Sequence, residues 1–442
     1  MHSAIGTDGA ARSSGLGVYG VANVVAALTT TPTELIAARL LMGVGAAIVF
    51  PTTLSIIANV FSDRAGRATA IGIWGATTGL AVACGPIAGG ALLEAFSWDS
   101  TFLAKVPVAL LALGLVVWLV PTSRDRSRPG LDLGGLALST VALGLLVYAI
   151  IEAPEAGWTS GRTMGGLAVA LAVLGGFLVH ERRTDHPLLD LALFRDPRFS
   201  AASASVTVAF FALFGFIFLI VQYFQFLKGY APLETGLRLI PVALSIGVAS
   251  VVGTRLVVRL GNKAVVTTGL ASLAIAYVWT SGVGTETAYA EIVGQMVFLG
   301  LGMGLTSAPA TESIMGAVSL DKAGIGSAIN DTTRELGGTL GVAVIGSVYA
   351  SLYADAFAGA GGVPAAARES VGGALIAAEA LPGETGAAVA RLAGDGFFAG
   401  LQAGCLVAAG LCAAGAVFTA VALPSKPRDL APQPAARELH QV

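Results

Sequence analysis

Twelve apolar stretches, each of a length that crosses a lipid bilayer, leave this chain few folds to choose from. They run over 15–31, 34–60, 66–93, 101–120, 132–152, 163–181, 199–227, 236–258, 263–282, 288–315, 325–353 and 397–423. A helix needs about 20 apolar residues to traverse the hydrocarbon core. Inside lipid the backbone must satisfy its own N–H and C=O groups, so such stretches form helices and not open strands. Composition agrees: 12% of the 442 residues are charged and the mean hydropathy is +0.79, against about 25% charged in water-soluble domains. The expected fold is all-α, a polytopic membrane helix bundle of about 12 transmembrane helices.

The lysines and arginines orient it. With both termini cytoplasmic, 17 of the 25 fall on inside connections or helix ends, among them Arg124, Arg126, Arg128, Arg182 and Arg183. That bias follows the positive-inside rule, and an odd number of spans would scramble it. The expected location is the cell's inner, or plasma, membrane. The link "ERRTDHPLLDLALFRDPR" at 181–198 divides the chain, so that 1–120 forms a first bundle of four spans. Two linker helices and the link occupy 121–198, a six-helix bundle 199–423, and a cytoplasmic tail 424–442. The outer loop 354–396 reads equally as a surface helix over about 365–392 or as irregular chain.

Several function classes are disfavoured. A net charge of −2 without a concentrated basic face excludes nucleic acid as a partner. No GxxxxGK[ST] loop is present, so an ATP-driven pump in one chain is not expected. His2, His186 and His440 lie outside the apolar stretches and His180 only at the end of one, whereas Cys84, Cys405 and Cys412 sit within them as small hydrophobes. No nucleophile–base constellation appears; the chain reads as a non-enzyme, without metal or cofactor.

Charge within lipid costs about 2.5–3.5 kcal/mol per residue on insertion scales, so the few buried ionisable groups are the candidates for function. Arg39 lies one turn into the second span, either holding a partner acid or snorkelling to the interface. In "GSAINDTTRELGGTLG", Asp331, Arg334 and Glu335 fall at i, i+3 and i+4 on one helix face. They form either a self-compensating cluster or a titratable carboxylate set by burial and by Arg334. Glu312, three residues after Pro309, is a proton-coupling candidate or a solvated helix end. In "GLAVACGPIAGGALL", Gly85 and Gly89 are expected to present bare backbone on one face for a close helix neighbour. Pro86 bends that span, and Gly72 and Gly90 extend the small-residue set into a hinge.

At these residues the chain resembles the major facilitator superfamily, in particular its fourteen-span drug:proton antiporter family. "ARLLMGVGAA" is similar to the family's fourth-helix motif, with Met42 where a glutamine is usual. Gly72, Gly85, Pro86, Gly89 and Gly90 match the antiporter motif of the fifth helix, with Ala81 in place of one glycine. "AGIGSAINDTTRELGGTLGVAVIGS" resembles the penultimate-helix signature, and "HPLLDLALFRDPRF" the link into the second half. The family has six helices, two linkers and six more; this chain shows four, two and six. The resemblance implies a major-facilitator-like secondary transporter that exchanges amphipathic drugs or other small organic molecules for protons. The proton gradient would supply the energy and a monomer is expected. In that scheme Arg39, Asp331, Arg334, Glu335 and Glu312 couple protons or bind substrate. Transport of an endogenous metabolite, or a truncated non-transporting membrane protein, are the alternatives.

Overall fold

The computed structural model describes residues 7–61, 64–119, 132–184, 187–318, 323–361 and 363–424. Asp63, most of the connection after residue 120 and the tail beyond Pro424 lie outside these. Ten helical stretches among the described residues are long and apolar enough to cross a membrane. One of them, Pro232–Thr280, is 49 residues long, enough for two crossings, and Ser14–Ala27 within α1 (Thr7–Ala27) is a shorter apolar helix. The end of the bundle at which the helix Pro32–Val60 ends and the helix Arg64–Ala95 begins is called here the terminal face.

Local sequence sets the helix ends. Thr31 and Glu34 form a capping box before α2 (Pro32–Val60), with Pro32 in the first turn, where its missing N–H costs nothing. Next come α3 (Arg64–Ala95), the single turn α4 (Ser100–Leu103) and α5 (Lys105–Leu119). Asp132 caps α6 (Leu133–Ala156), and Ser160 caps α7 (Gly161–Arg183). Asp196 caps α8 (Pro197–Gln222), which is extended by one π-helical turn over Tyr223–Leu227. After the short α9 (Pro232–Arg238), the two crossings expected over 236–258 and 263–282 form one element, α10 (Ile240–Thr280). It turns at Gly261, whose φ of 81° suits only a residue without a Cβ.

The chain continues through α11 (Tyr289–Ala317), α12 (Ala323–Ala356), α13 (Ala365–Glu369), α14 (Val371–Ala380) and α15 (Gly383–Ala422). The outer loop is helical over most of 365–392, but as two short helices and the first turns of the last long one, not as a single surface helix. The last crossing starts at Gly383, well before the expected residue 397, because its first turns are polar and rise beyond the apolar stretch. Val371 and Ala374 of α14 and Ala367 of α13 are buried, and the Tyr353 hydroxyl donates to the Ala367 carbonyl at 3.0 Å. The two short helices therefore roof the ends of α12 and α15.

One large apolar core joins α8, α10, α11, α12 and α15, whereas α1, α2 and Phe102 of α4 share a small one. Helix α3 lies along α9, α10 and α11. The α6–α7 hairpin rests on α12: Ser347 donates to the Ile150 carbonyl at 2.7 Å, and Trp158 Nε1 donates to Ser351 Oγ at 3.0 Å. At its terminal-face end, His180 Nε2 meets both carboxylate oxygens of Asp132 at 2.9 and 3.0 Å. A hydrogen bond from the Gly135 backbone, and then the one from His180, hold the Asp132 carboxyl below its ordinary value. Glu181 is buried and accepts from the Leu189 backbone at 2.8 Å, tying the hairpin to the link.

Candidate transport site between the two halves

Helix α12 carries the site because its glycines let it lie directly on α8. A Cβ on Gly337 or Gly341 would collide with the carbonyls of Thr207 and Phe211. Small residues of this kind are what allow membrane helices to approach closely. The contact fixes Asp331 and Arg334, which are 7% and 9% exposed.

Arg334 reaches out of its own half. Its Nη2 donates to Thr78 Oγ1 on α3 at 2.8 Å. Its Cζ stands 4.5 Å from the ring of Trp74 and 4.4 Å from the ring of Phe210. Both distances lie inside the ~6 Å range of cation–π attraction. Trp74 is itself fixed, with Nε1 donating to Thr53 Oγ1 on α2 at 3.3 Å. Among the described residues no ion pair within 4 Å joins Arg334 to Asp331 or Glu335. Asp331 Oδ1 receives only a long bond from Asn330 at 3.4 Å, and its buried Oδ2 has no partner. Asn330 is held in turn by Thr311 of α11 at 2.9 Å. Glu335, one turn on, is exposed. Towards the terminal face, Leu54, Ile71, Met315 and Ala323 close the seam with Ile57 and Trp74.

The other expected residues lie elsewhere. Glu312 is buried near the terminal end of α11, 3.9 Å from Arg198 and receiving 3.3 Å from Asn262. It is not a solvated helix end, because Arg198 opens α8 and Asn262 follows the Gly261 corner, and both lean on it. Arg39 is exposed and lies 5.3 Å over the ring of Phe102, which Lys105 approaches from 5.0 Å. Glu34 is committed to its capping box and makes no ion pair with Arg39 among the described residues. The structure does not bring Arg39 to Asp331.

The glycines of α3 require a correction. Nothing lies within 4 Å of a Cβ built on Gly85 or Gly89, so these two do not admit a neighbouring helix. The close face is made by Gly72, Gly75, Gly79, Pro86 and Gly90. A Cβ would lie 2.7 Å from Thr254 at Gly72, 2.5 Å from the Ala243 carbonyl at Gly79, and 2.5 Å from the Pro232 carbonyl at Gly90. A Cβ built on Gly236 would lie 2.6 Å from the Pro86 backbone, and Glu94 accepts from the Leu233 backbone at 3.0 Å. Spacings of three, four and seven keep this set on one stripe; Gly85 and Gly89 fall beside it. Trp74, Thr78 and Phe210 escaped the sequence reading. Their signal was an i, i+4 pair, Trp74 and Thr78, in a stretch otherwise made of small residues.

The sequence profile of the Major Facilitator Superfamily matches residues 12–342. The chain belongs to the Major Facilitator Superfamily. It is 34% identical over 337 residues to the multidrug resistance protein Stp of Mycobacterium tuberculosis, a match covering 76% of this chain and 63% of Stp. To the multidrug efflux pump LfrA of Mycolicibacterium smegmatis it is 32% identical over 410 residues, covering 91% of this chain and 81% of LfrA. The chain thus spans less than two thirds of Stp and about four fifths of LfrA. Among solved structures, a bacterial homolog of the human lysosomal transporter Spinster, inward-facing and unoccupied, aligns with a TM-score of 0.53 at 17% identity. That alignment covers 96% of this chain and 86% of the homolog, and the likeness is one of fold. This Major Facilitator Superfamily member is accordingly a multi-pass membrane protein.

Proposed function

We propose that the chain is a secondary active transporter of the plasma membrane that exports amphipathic small organic molecules in exchange for protons. Its termini would be cytoplasmic and its functional unit a monomer. The observation that carries this reading is the pairing at the seam: a buried carboxylate with an unfilled oxygen, Asp331, beside an arginine that bridges to the opposite half. Ionisable groups kept at lipid depth are costly, and they mark ion or substrate paths. Midplane sites between two rocking bundles are the general arrangement of such transporters. Multidrug efflux and resistance relatives agree with it.

In this scheme Asp331 takes and releases the proton, Arg334 sets its charge state, and Glu335 adds a second acid at the exposed edge. Arg39 and Glu312 serve coupling indirectly, through the packing of their own ends. The α3 stripe with Pro86 forms the surface on which the halves move. The test is ethidium accumulation by everted membrane vesicles energised by an acid interior. Asp331→Asn is expected to lower proton-driven accumulation at least about tenfold, the scale of losing one proton-transfer group. Accumulation equal to that of the parent would remove Asp331 from the mechanism. A parent that moves no ethidium or other amphipathic dye would overturn the transport reading.

A further inference from the structure

Buried arginines ordinarily pair with carboxylates, because charge-assisted hydrogen bonds best offset the loss of water. Arg334 does otherwise. Asp331 sits three residues earlier on the same helical face, with a buried Oδ2 that no donor reaches, and yet the guanidinium lies between Trp74 and Phe210. The two rings come from opposite halves, Trp74 from α3 and Phe210 from α8. A flat, weakly hydrated, delocalised cation between two aromatic faces is the arrangement by which proteins recognise organic cations.

We infer that Trp74 and Phe210 are the binding site for an organic cation with delocalised charge, and that Arg334 fills this site as an internal surrogate. The inference rests on the transport reading and adds two specificity residues and an internal competitor for them. A cation entering between the rings displaces the guanidinium. Arg334 and Asp331 are i+3 neighbours, so a change of rotamer carries the guanidinium to the empty carboxylate oxygen. The departure breaks the Arg334–Thr78 bond, which ties α12 to α3 across the seam. Substrate binding and unlatching of the halves then become one event, because the same guanidinium cannot serve rings and acid together. The ligand needs a positive charge, since only a cation competes with a guanidinium for ring faces. It needs little hydration, because the rings offer no replacement for water. Thr53 holds Trp74 in place for this task, as a positioning residue.

The test uses the full chain in lipid nanodiscs and measures binding of tetraphenylphosphonium by calorimetry, with neutral triphenylphosphine oxide as control. Arg334→Gln vacates the rings and is expected to bind tetraphenylphosphonium about tenfold tighter, with no gain for the neutral compound. Trp74→Ala and Phe210→Ala are expected to bind the cation at least about tenfold more weakly. Trp74→Phe keeps a ring and stays within about threefold of the parent, which separates loss of the site from loss of the fold. Arg334→Gln binding no tighter than the parent, or Trp74→Ala binding as well as the parent, overturns the surrogate. If either occurs while the parent still accumulates ethidium in everted vesicles, this inference falls and the transport reading stands. If the parent neither binds tetraphenylphosphonium nor accumulates dye, both fall.

Discussion

Arg334 is held by the flatness of its charge more than by its sign. A lysine there keeps the charge but presents a compact, strongly hydrated ammonium that cannot lie between two rings and bond Thr78 in one plane. Arg334→Lys is therefore expected to lose at least about tenfold in proton-driven dye transport, close to what Arg334→Gln loses. Vesicle assays normalised to protein in the membrane check this, and a lysine variant at parental rate would show that charge alone suffices. The acid and the arginine were legible in the sequence because their spacing is a property of one helix. Trp74 and Phe210 were not, since they come from helices far apart in the chain and meet only after the halves pack. The ring contact of Arg39 was illegible for the same reason: Phe102 belongs to another helix, and no local pattern foretells it, while the exposure of Arg39 fits the snorkelling alternative.

At the scale of the helix, α3 separates what a glycine motif suggests from what packing uses. The motif drew attention to Gly85 and Gly89, but the side of α3 facing the second half was invisible without its partners. Gly85→Ala and Gly89→Ala meet open space, and a helix gains about 1 kcal/mol when alanine replaces an interior glycine. Both variants are expected to melt at or above the parental temperature in detergent. Gly79→Ala and Gly90→Ala drive a methyl against backbone carbonyls, and overpacking of this kind costs about 1–3 kcal/mol. They are expected to melt lower and transport less. The opposite order in thermal-shift measurements would show that the stripe is not the working seam. On α6, Asp132→Asn removes the charge that both Gly135 and His180 engage, and faster amide exchange at Gly135 is the expected outcome by mass spectrometry. The apolar lengths announced a many-helix membrane bundle, and ten helices long and apolar enough to cross are found among the described residues. The break at Gly261 was legible too, since Arg259, Asn262 and Lys263 interrupt the apolar run between 258 and 263; what the sequence did not show is that the turn is made by one residue within a single long element.

For the whole molecule, the division of the chain into bundles does not match its division by contact. The linker hairpin comes between the halves in sequence but rests on α12, so it travels with the second half. Cysteine pairs on a cysteine-free background check this. Gly75→Cys with Ser250→Cys spans a Cβ separation of 3.5 Å, suited to a disulfide. Its oxidation ties α3 to α10 and is expected to stop transport until a reductant is added. Ile150→Cys with Ser347→Cys ties the hairpin to α12, and oxidation is expected to leave the transport rate within about twofold, since that contact moves as one body. Arrest by the second pair would mean that the hairpin slides during the cycle.

The small helices over α12 and α15 have a consequence for how a passenger departs. They cover the second half on the side away from the terminal face, where the described first half has two brief connections, around residues 28–31 and 96–104. On the proposed export, egress would be lopsided, with a ceiling over one flank and a low sill at the other. Bulk attached at the sill stands in the doorway, while the same bulk on the ceiling stands clear of it.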